Sequence, residues 1–320
     1  MTMRYARVLG TGSYLPEKVM TNQDLERLVE TSDSWIRERT GIRQRHILAD
    51  DETCVDLAEA AARRAMEAAD VGPEEIDLIV VATTTPDQTF PSNACLLQSR
   101  LDIHGCPAFD VQAVCTGFIY ALGVAEKFIR TGSARKALVV GAEALSRIID
   151  WTDRGTCVLF GDGAGAMVLG ADTEPGIIAS HLHADGAYRE LLQVPAGIGN
   201  GGSGSPYMEM KGNEVFRVAV TTLGRIVDET LQANGMRRED IDWLVPHQAN
   251  LRIIRATAQR MGLPMERVVV TVADHGNTSA ASIPLALSVG KARGQIKPDD
   301  LVVMEAIGGG LAWGAIAVRW

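Results

Sequence analysis

The 320-residue sequence is poor in the features that mark several common classes of protein. Its five cysteines form no CxxC pair and its six histidines show no metal-ligand spacing, so neither a disulfide framework nor a metal site is predicted. No apolar run approaches the roughly 18 residues that suggest a membrane span. The first residues lack the apolar core of a signal peptide, and the net charge of −9 disfavours general nucleic-acid binding. We therefore expect a cytoplasmic protein with no metal, no nucleic-acid partner and no membrane segment.

Apolar residues, by contrast, are abundant, and their spacing alternates between the periods of helix and strand. They make up 46% of the chain, which is enough for a large core in one or two domains. An Ala-rich helix is predicted over 55–69, and a buried strand over 75–82. A shorter helix is predicted over 22–29. The alternation of helix and strand along the chain predicts the α/β class.

A glycine-rich stretch matches the relaxed dinucleotide-binding fingerprint, Gly-x-Gly-x-x-Ala from Gly161 to Ala166. That fingerprint requires a helix directly after it to receive the pyrophosphate. Residues 167–169, Met-Val-Leu, favour a strand instead. The glycines are better explained by a close approach between two strands, or between a strand and a ligand. No nucleotide site of this type is predicted.

The second half of the sequence repeats the pattern of the first. Residues 74–80, Glu-Glu-Ile-Asp-Leu-Ile-Val, are matched 165 residues later by Glu-Asp-Ile-Asp-Trp-Leu-Val at 239–245. Such a repeat indicates an internally duplicated α/β protein. We predict two similar halves, residues 1–172 and 173–320, packed tightly with the active site at the boundary between them.

Three reactive side chains follow corresponding elements of the two halves. Cys115 falls at a strand–helix junction within 107–122, where the positive end of the helix dipole favours the thiolate. His247 follows a predicted buried strand, and Asn277 lies in the turn that we take as the counterpart of the Cys115 turn. Alone, the cysteine is better explained as a core residue, since free cysteine is among the most buried residue types. Together, the three can form an activated nucleophile beside an amide that holds an oxyanion.

The order Cys, His, Asn also occurs in papain-like proteases, which are an alternative interpretation of these three residues. Those enzymes carry Cys-Gly-Ser-Cys-Trp or a close relative around the nucleophile. This chain has Val-Cys-Thr-Gly-Phe at 114–118 and no disulfide pattern. The protease interpretation is therefore disfavoured.

Motifs spread over the whole chain carry a resemblance to one family of condensing enzymes. Each motif is weak alone, but together and in this order they are specific. They are Gly10-Thr-Gly-Ser-Tyr-Leu-Pro16, Trp35 with Arg39-Thr-Gly-Ile-Arg43, Phe109-Asp-Val with Cys115-x-Gly-Phe118, Asp153-Arg-Gly-Thr156, Phe160-Gly-Asp-Gly-Ala-Gly165, His247-Gln-Ala-Asn-Leu-Arg252, Gly276-Asn-Thr-Ser-Ala-Ala281 and Gly308-Gly-Gly310. With these motifs the sequence resembles the thiolase-superfamily condensing enzymes, and specifically the β-ketoacyl-[acyl-carrier-protein] synthase III family.

The resemblance implies a thiolase-like fold, with two βα halves in a layered αβαβα body, and a covalent mechanism. Cys115 would take an acyl group from acyl-CoA, and the backbone N–H groups of Cys115 and Gly309 would bind the oxyanion. His247 and Asn277 would donate hydrogen bonds to the malonyl thioester oxygen as CO₂ is lost. The product would be a β-ketoacyl-acyl-carrier protein, and no resident cofactor is implied, because acyl-CoA and malonyl-acyl-carrier protein are substrates.

The resemblance also implies contacts to coenzyme A. Trp35 and Arg154 would stack on the adenine, and Arg39 would lie near the phosphates. Asn250 would contact the pantetheine, and Phe216 would line its tunnel. Without the resemblance, an ordinary core-anchoring tryptophan and surface arginines would explain the same residues.

A basic patch and a primer pocket complete the expectations. The docking site for the acidic carrier protein would be formed by arginines of the second half, namely Arg217, Arg252, Arg255 and Arg260. The primer pocket would be lined by Phe90, Thr116, Leu145 and Leu192. The family also implies a homodimer, in which Phe90 could serve the partner's pocket.

Three functions remain open on the sequence. The first is an acyltransferase that starts fatty-acid synthesis. The second is a related enzyme of secondary metabolism with a different primer or acceptor. The third is a non-catalytic acyl-CoA-binding relative, which the intact Cys115, His247 and Asn277 disfavour. The length and branching of the primer are not predicted.

Overall fold

The structure is a computed structural model that describes residues 4–320. The first half of the chain contributes seven strands and six helices to the described part. These are β1 (Tyr5–Tyr14), β2 (Val19–Thr21), α1 (Asn22–Leu25), α2 (Asp33–Thr40), β3 (Gln44–His46), α3 (Cys54–Ala69), β4 (Leu78–Ala82), α4 (Asn93–Arg100), β5 (Ala108–Val111), α5 (Gly117–Arg130), β6 (Lys136–Glu143), α6 (Arg154–Cys157) and β7 (Gly163–Asp172).

The second half continues with six strands and four helices in the described part. These are β8 (Ile177–Ala184), β9 (Leu192–Gln193), β10 (Glu209–Met210), α7 (Gly212–Gln232), β11 (Trp243–Pro246), α8 (Leu251–Met261), α9 (Val272–His275), α10 (Ser282–Ala292), β12 (Leu301–Gly308) and β13 (Ala312–Arg319). The division at 172/173 falls between β7 and β8, and we keep it as a proposal for how the chain divides.

Two mixed sheets form the centre of the protein. One has the strand order β1-β7-β6-β4-β5, and the other has the order β11-β12-β13-β8. Helices α5 and α10 lie between the sheets, and their side chains share one core cluster with the inner faces of both sheets. Helices α3 and α4 cover the outer face of the first sheet, whereas α7 and α8 cover that of the second. The result is the αβαβα layering that was predicted.

The internal duplication extends to individual backbone positions. An offset of 165 residues carries β6 onto β12, and the tight 3₁₀ turn Val114–Thr116 onto the turn Ser279–Ala281. Both turns open on a residue with positive φ, 49° at Val114 and 48° at Ser279, which non-glycine residues adopt rarely. The turn position equivalent to Cys115 is therefore Ala280. The prediction that the helix after Cys115 corresponds to the helix after Asn277 is confirmed, since α5 and α10 begin 165 residues apart, and Asn277 itself lies three residues before the position equivalent to Cys115.

Close packing explains the small residues of α3. The helix begins with a capping box, in which Thr53 and Asp56 satisfy each other's backbone N–H groups. Its buried face is mostly alanine because the helix lies directly on β1. A Cβ atom at Gly12 would stand 2.3 Å from the Ala61 carbonyl oxygen and from the Ala65 nitrogen. Glycine on the strand and alanine on the helix thus let the two backbones meet.

Helix α1 is shorter than the predicted helix over 22–29. It ends at Leu25, and the chain continues in three-residue turns, such as Leu28 N–H to Leu25 carbonyl at 2.9 Å. Leu28 is 53% exposed, so its side chain adds little packing that would stabilise a further helical turn. Short helices depend on such packing, since their own hydrogen bonds do not stabilise them in water.

The buried Glu305 on β12 predicts a pH-dependent stability. Its side chain lies in the core, its Oε2 has no hydrogen-bond partner, and burial raises its pKa to about 8. A carboxyl whose pKa is raised on folding stabilises the fold below its unfolded pKa, and this contribution is lost as the pH rises toward 8. Between pH 5 and 8, the free energy of unfolding of Glu305→Gln should rise relative to that of wild type by about 1.4 kcal/mol per pH unit. Urea unfolding at several pH values measures this slope, and a difference independent of pH would contradict it.

Candidate active site

Cys115, His247 and Asn277 line one cavity of about 250 Å³. The three residues are far apart in the sequence, and they come from the turn before α5, the segment after β11 and the turn before α10. The two halves of the repeat both contribute to this cavity. The Cys115 turn comes from the first half, and the His247 and Asn277 segments come from the second. The predicted convergence of the three side chains is present in the structure.

The Cys115 turn is packed against the end of β12. A Cβ atom at Gly308 would lie 2.6 Å from the Cys115 nitrogen, and one at Gly309 would lie 2.9 Å from the Leu192 carbonyl oxygen. Only glycine fits at these two positions, because backbone meets backbone there. The packing brings the Gly308–Gly309 backbone against the Cys115 turn, where the resemblance expects an oxyanion site.

Burial of the Cys115 side chain opposes the thiolate that the helix dipole is expected to favour. Burial raises the pKa of Cys115 to about 12, although a hydrogen bond with the Ser279 hydroxyl partly offsets the shift. The side chain is 4% exposed, and α5 begins two residues later, at Gly117. The cost of burying a charge therefore outweighs the helix dipole at this position. A nucleophilic Cys115 needs a group that takes its proton.

His247 is held neutral and oriented by the chain behind it. Its Nδ1 lies 2.6 Å from the Ser282 Oγ, which also accepts a hydrogen bond from the Gln248 N–H at 3.3 Å. Burial lowers the pKa of His247 to about 3, so the ring carries no charge near neutral pH. When the Ser282 hydroxyl donates to Nδ1, the ring proton resides on Nε2 and makes it a donor.

Asn277 is oriented by the backbone of its own turn. The Ser279 N–H donates to the Asn277 Oδ1 at 2.9 Å. The Asn277 N–H donates to the Leu159 carbonyl at 2.9 Å, and its carbonyl accepts from the Gly161 N–H at 3.0 Å. Because Oδ1 is engaged, the Nδ2 amino group is the end of the amide that is free to donate to a ligand.

The predicted CoA residues form a cluster beside this cavity. The guanidinium carbons of Arg39 and Arg154 lie 4.7 Å and 4.9 Å from the centroid of the Trp35 ring. Arg39, Asn250 and Phe216 line the cavity, whereas Trp35 and Arg154 lie outside its lining. Asn250 also caps α8, because its Oδ1 accepts from the Ile253 N–H at 2.9 Å. An aromatic surface with flanking cations suits a planar, negatively charged ligand.

The predicted docking arginines divide between two cavities. Arg252 lines the catalytic cavity and stacks on Phe216, with its guanidinium carbon 5.5 Å from the ring centroid. Arg217 lines a larger neighbouring cavity of about 660 Å³ that contains none of the three reactive residues. Arg255 and Arg260 are exposed on α8. Three of the four arginines thus lie on α8, whereas Arg217 lies on α7 in a cavity that also contains Glu190 and Glu214.

The predicted primer residues are not all brought together. Leu192 lines the catalytic cavity, but Phe90, Thr116 and Leu145 are absent from its lining. The Thr116 hydroxyl donates to the Ala312 carbonyl at 2.8 Å, and Leu145 is fully buried. Phe90 is 83% exposed. The primer pocket therefore stays a prediction for these three residues.

Sequence reasoning missed three polar side chains behind the reactive ones. Ser282 contacts His247, whereas Ser279 contacts Cys115 and also the carboxylate of Glu143. Ser279 lies within the motif at 276–281 and Ser282 directly follows it, but only Asn277 of this motif is predicted to act in the reaction. Glu143 gave a signal that could have been used, since it ends a strand whose other residues are almost all apolar.

Two other kinds of feature are missing from the described residues. Within residues 4–320, no cluster of three or more His, Cys, Asp or Glu side chains is arranged to hold a metal ion. No helix of that same span combines the length and the apolarity needed to cross a membrane.

Comparison with known proteins assigns the chain to a family. The family model for 3-oxoacyl-[acyl-carrier-protein] synthase III matches residues 109–186, and the model for its C-terminal part matches residues 231–320. The β-ketoacyl-[acyl-carrier-protein] synthase III of Thioalkalivibrio sulfidiphilus is 66% identical over 99% of this chain and 100% of its own length. That of Alkalilimnicola ehrlichii is 62% identical with the same coverage of both chains.

A solved structure agrees with the sequence relatives. The 3-oxoacyl-[acyl-carrier-protein] synthase III of Aquifex aeolicus is 47% identical and superimposes with a TM-score of 0.94, covering 98% of this chain and 100% of its own. Full-length identity of this size, a shared thiolase-like fold and the motifs around Cys115, His247 and Asn277 lead to one conclusion: the chain belongs to the β-ketoacyl-[acyl-carrier-protein] synthase III family.

Proposed function

We propose that this protein starts fatty-acid synthesis by joining an acyl group from acyl-CoA to malonyl-acyl-carrier protein with loss of CO₂. The product is a β-ketoacyl-acyl-carrier protein. The observation that carries the proposal is that a cysteine, a neutral histidine and an oriented asparagine amide line one cavity. Family membership supports the same reaction.

In the first step, the Cys115 sulfur attacks the thioester carbonyl of acyl-CoA. The carbon–sulfur bond to CoA breaks, CoA leaves with the bonding electron pair, and the acyl group remains on Cys115. The carbonyl oxygen becomes negative in the intermediate, and N–H groups of Cys115 and Gly309 are the proposed donors to it. Backbone donors aimed at a developing charge in a buried site stabilise it more than water does.

In the second step, malonyl-acyl-carrier protein takes the place of CoA. Loss of CO₂ leaves the electron pair on the α-carbon, and the negative charge is shared with the thioester oxygen. The Nε2–H of His247 and the Nδ2–H of Asn277 are the proposed donors to that oxygen. The carbanion then attacks the acyl carbonyl on Cys115 and releases the cysteine. Neutral donors suit this role because they need not lose a proton at any stage.

Both substrates carry the same phosphopantetheine arm, and one entrance serves both. Trp35 with its two arginines is the proposed site for the nucleotide end of CoA, and Asn250 and Phe216 flank the arm. Acyl-CoA and malonyl-acyl-carrier protein are substrates, so the proposed reaction uses no resident cofactor. We place it in the cytoplasm, where both substrates are made available to soluble enzymes.

We also propose that the protein works as a homodimer. Strand β5 is the edge of the first sheet, and its four residues are all partly exposed. An uncovered strand edge pairs readily with a second copy. Phe90 lies on the loop between β4 and α4 and is 83% exposed, which is unusual for a large apolar side chain. A partner subunit would cover both features, and Phe90 would then lie where it can serve the partner's primer pocket.

The proposal is tested by following the acyl group. The protein is incubated with a panel of radiolabelled acyl-CoAs from acetyl to long-chain, and label on the Cys115 peptide is measured. Malonyl-acyl-carrier protein is then added, and the β-ketoacyl product is identified by mass. The expected result is label on Cys115 that moves into a β-ketoacyl-acyl-carrier protein. An acyl-enzyme that yields this product only with another acceptor would favour the enzyme of secondary metabolism and overturn the proposal.

Replacement of Arg252 by glutamate should weaken the second step and spare the first. Arg252 is exposed at the cavity mouth, and a reversed charge there repels an acidic carrier protein. We expect kcat/KM for malonyl-acyl-carrier protein to fall about tenfold at low salt, with little change in the rate of acylation by acyl-CoA. Arg135→Glu is the matched control, since this exposed arginine lies at the opposite end of β6 from the cavity. An equal loss in both steps would contradict the docking role.

A further inference from the structure

A buried carboxylate lies behind Cys115 with no role in the reaction proposed above. Glu143 ends β6 and is fully buried. It accepts hydrogen bonds from the Thr84 N–H at 3.1 Å and from the Thr85 hydroxyl at 2.8 Å. The Ser279 hydroxyl donates to its Oε1 at 3.0 Å. All of these donors are uncharged, so the charge of Glu143 is solvated by dipoles alone, which is costly in a protein interior.

Ser279 connects this carboxylate to the nucleophile. The two tight turns that contain Ser279 and Cys115 pack against each other, and the Ser279 side chain lowers the pKa of the Cys115 thiol as a hydrogen-bond partner. A hydroxyl has a single proton. While Ser279 donates to an ionised Glu143, it can only accept from the Cys115 S–H. When Glu143 is protonated and donates to Ser279, the Ser279 proton is free for a Cys115 thiolate.

The geometry points to a proton relay, in which Ser279 passes the thiol proton of Cys115 to Glu143 as the acyl group is transferred. This inference rests on the proposed function, because it adds a step to the acylation of Cys115. The Cys115 S–H bond breaks and its proton moves to the Ser279 Oγ, while the Ser279 proton moves to the Glu143 Oε1. The sulfur electron pair forms the bond to the acyl carbon, and the CoA sulfur leaves as a thiolate that takes a proton from water.

Charge balance favours the relay over direct ionisation of Cys115. Burial opposes the charged form of both groups, and the charge of Glu143 further opposes a thiolate beside it. Losing the thiol proton to solvent would leave two negative charges in the interior. The relay keeps one, and moves it from Glu143 to the sulfur that attacks the substrate. A shift of one charge costs less than the burial of a second.

His247 does not compete for this proton in the tautomer that suits the second step. With the ring proton on Nε2 and the Ser282 hydroxyl donating to Nδ1, both nitrogens are engaged or protonated. Burial lowers the pKa of His247 to about 3, which disfavours a second proton on the ring. The two steps then use separate groups, with Ser279 and Glu143 for acylation and His247 and Asn277 for decarboxylation.

The Glu143 end of the relay is connected to the protein surface. The Thr85 hydroxyl that donates to Glu143 also lines a surface cavity of about 360 Å³. Exchange with solvent there sets the resting charge of Glu143, whereas the proton that Glu143 gains during acylation returns through Ser279 to the Cys115 sulfur when condensation releases it. The other titratable groups nearby are Cys54 of α3, whose pKa burial raises, and Asp87, which accepts from the Cys54 N–H at 2.8 Å. Neither bonds to Ser279, so the path to Cys115 runs through Glu143.

Glu143→Gln and Ser279→Ala test the relay through the reactivity of Cys115. The rate of acylation by acyl-CoA and the rate of alkylation by iodoacetamide are measured from pH 6 to 9. We expect both rates to fall about 30-fold or more at pH 7 in each variant, as for loss of a general base. The loss should shrink as the pH rises, because hydroxide then replaces the relay. If Glu143 only repels the Cys115 thiolate, its removal should raise the rate of alkylation instead of lowering it. A faster alkylation in Glu143→Gln would therefore overturn the relay.

Two measurements separate the relay from damage to the site. In Ser279→Ala the backbone N–H that holds the Asn277 Oδ1 remains, so decarboxylation of malonyl-acyl-carrier protein should continue. Its loss together with acylation would mean a structural role and would overturn the relay. Glu305→Gln removes another buried carboxylate and should leave the pH profile of alkylation unchanged.

If wild type is not acylated by acyl-CoA, the proposed function fails, while iodoacetamide still tests the relay alone. If Glu143→Gln does not fold, Ser279→Ala decides.

Discussion

Cys115→Ser should abolish the transfer of a labelled acyl group from acyl-CoA to the protein. The cysteine lies in the cavity on which the reactive groups converge, and a serine hydroxyl there is a far weaker nucleophile than a thiol. Burial raises the pKa of the group already present, and it would oppose the ionisation of a hydroxyl even more strongly. We expect acylation to fall by on the order of 10³-fold or more. Mass spectrometry of the intact protein after exposure to acyl-CoA measures this loss directly.

The control for this variant is another free cysteine that is more accessible. Cys95 lies on α4, is partly exposed and is absent from the cavity lining. Cys95→Ser should therefore be acylated like wild type. Label that persists in Cys115→Ser but disappears in Cys95→Ser would mean that the nucleophile has been misassigned.

Asn277→Ala should separate the two steps, because it keeps acylation and loses condensation. Its Oδ1 is fixed by the Ser279 N–H, so its amino group is placed as a donor to the forming enolate. Removing one donor to a developing oxyanion costs about 10²–10³-fold in rate. Label on Cys115 after exposure to acyl-CoA and CO₂ release from malonyl-acyl-carrier protein are measured in parallel. The expected result is normal labelling with CO₂ release lowered by that factor.

The opposite result has a definite meaning. If Asn277→Ala loses labelling as well, the amide acts on Cys115 or on the shape of the turn, and its assignment to the second step is wrong. Asn234→Ala is a suitable control, because the side-chain amide of Asn234 donates to the Thr230 carbonyl at the end of α7. It should change neither step.

In the proposed reaction, acylation and condensation place different demands on the same cavity. For acylation we propose the Ser279–Glu143 pair as the base, with Glu143 on the first-half strand β6 and Ser279 in the second-half turn. Condensation needs neutral donors, and His247 and Asn277 both come from the second half. The two equivalent turns therefore carry different side chains in the proposed acylation, the nucleophile Cys115 in one and the hydroxyl of Ser279 in the other.

The internal repeat and much of the secondary structure could be predicted from the local sequence pattern. The repeat at 74–80 and 239–245 indicated the duplication, and the apolar spacing over 55–69 predicted α3 to within one residue. The strand-like residues after Gly163 correctly excluded a dinucleotide site, since β7 runs through them. Such features are visible because helix and strand periods, caps and turns depend on residues close together in the chain.

Other features depended on contacts between distant residues, which no local pattern encodes. Glu143 and Ser279 are separated by 136 residues, so their hydrogen bond exists only once both sheets are packed. The resting thiol of Cys115 has the same origin: the helix dipole is visible in the sequence, but the burial that outweighs it comes from the packing of the β12 end. The sequence by itself determined which groups could react. Tertiary structure decided their protonation, because desolvation depends on what surrounds a side chain and not on what precedes it.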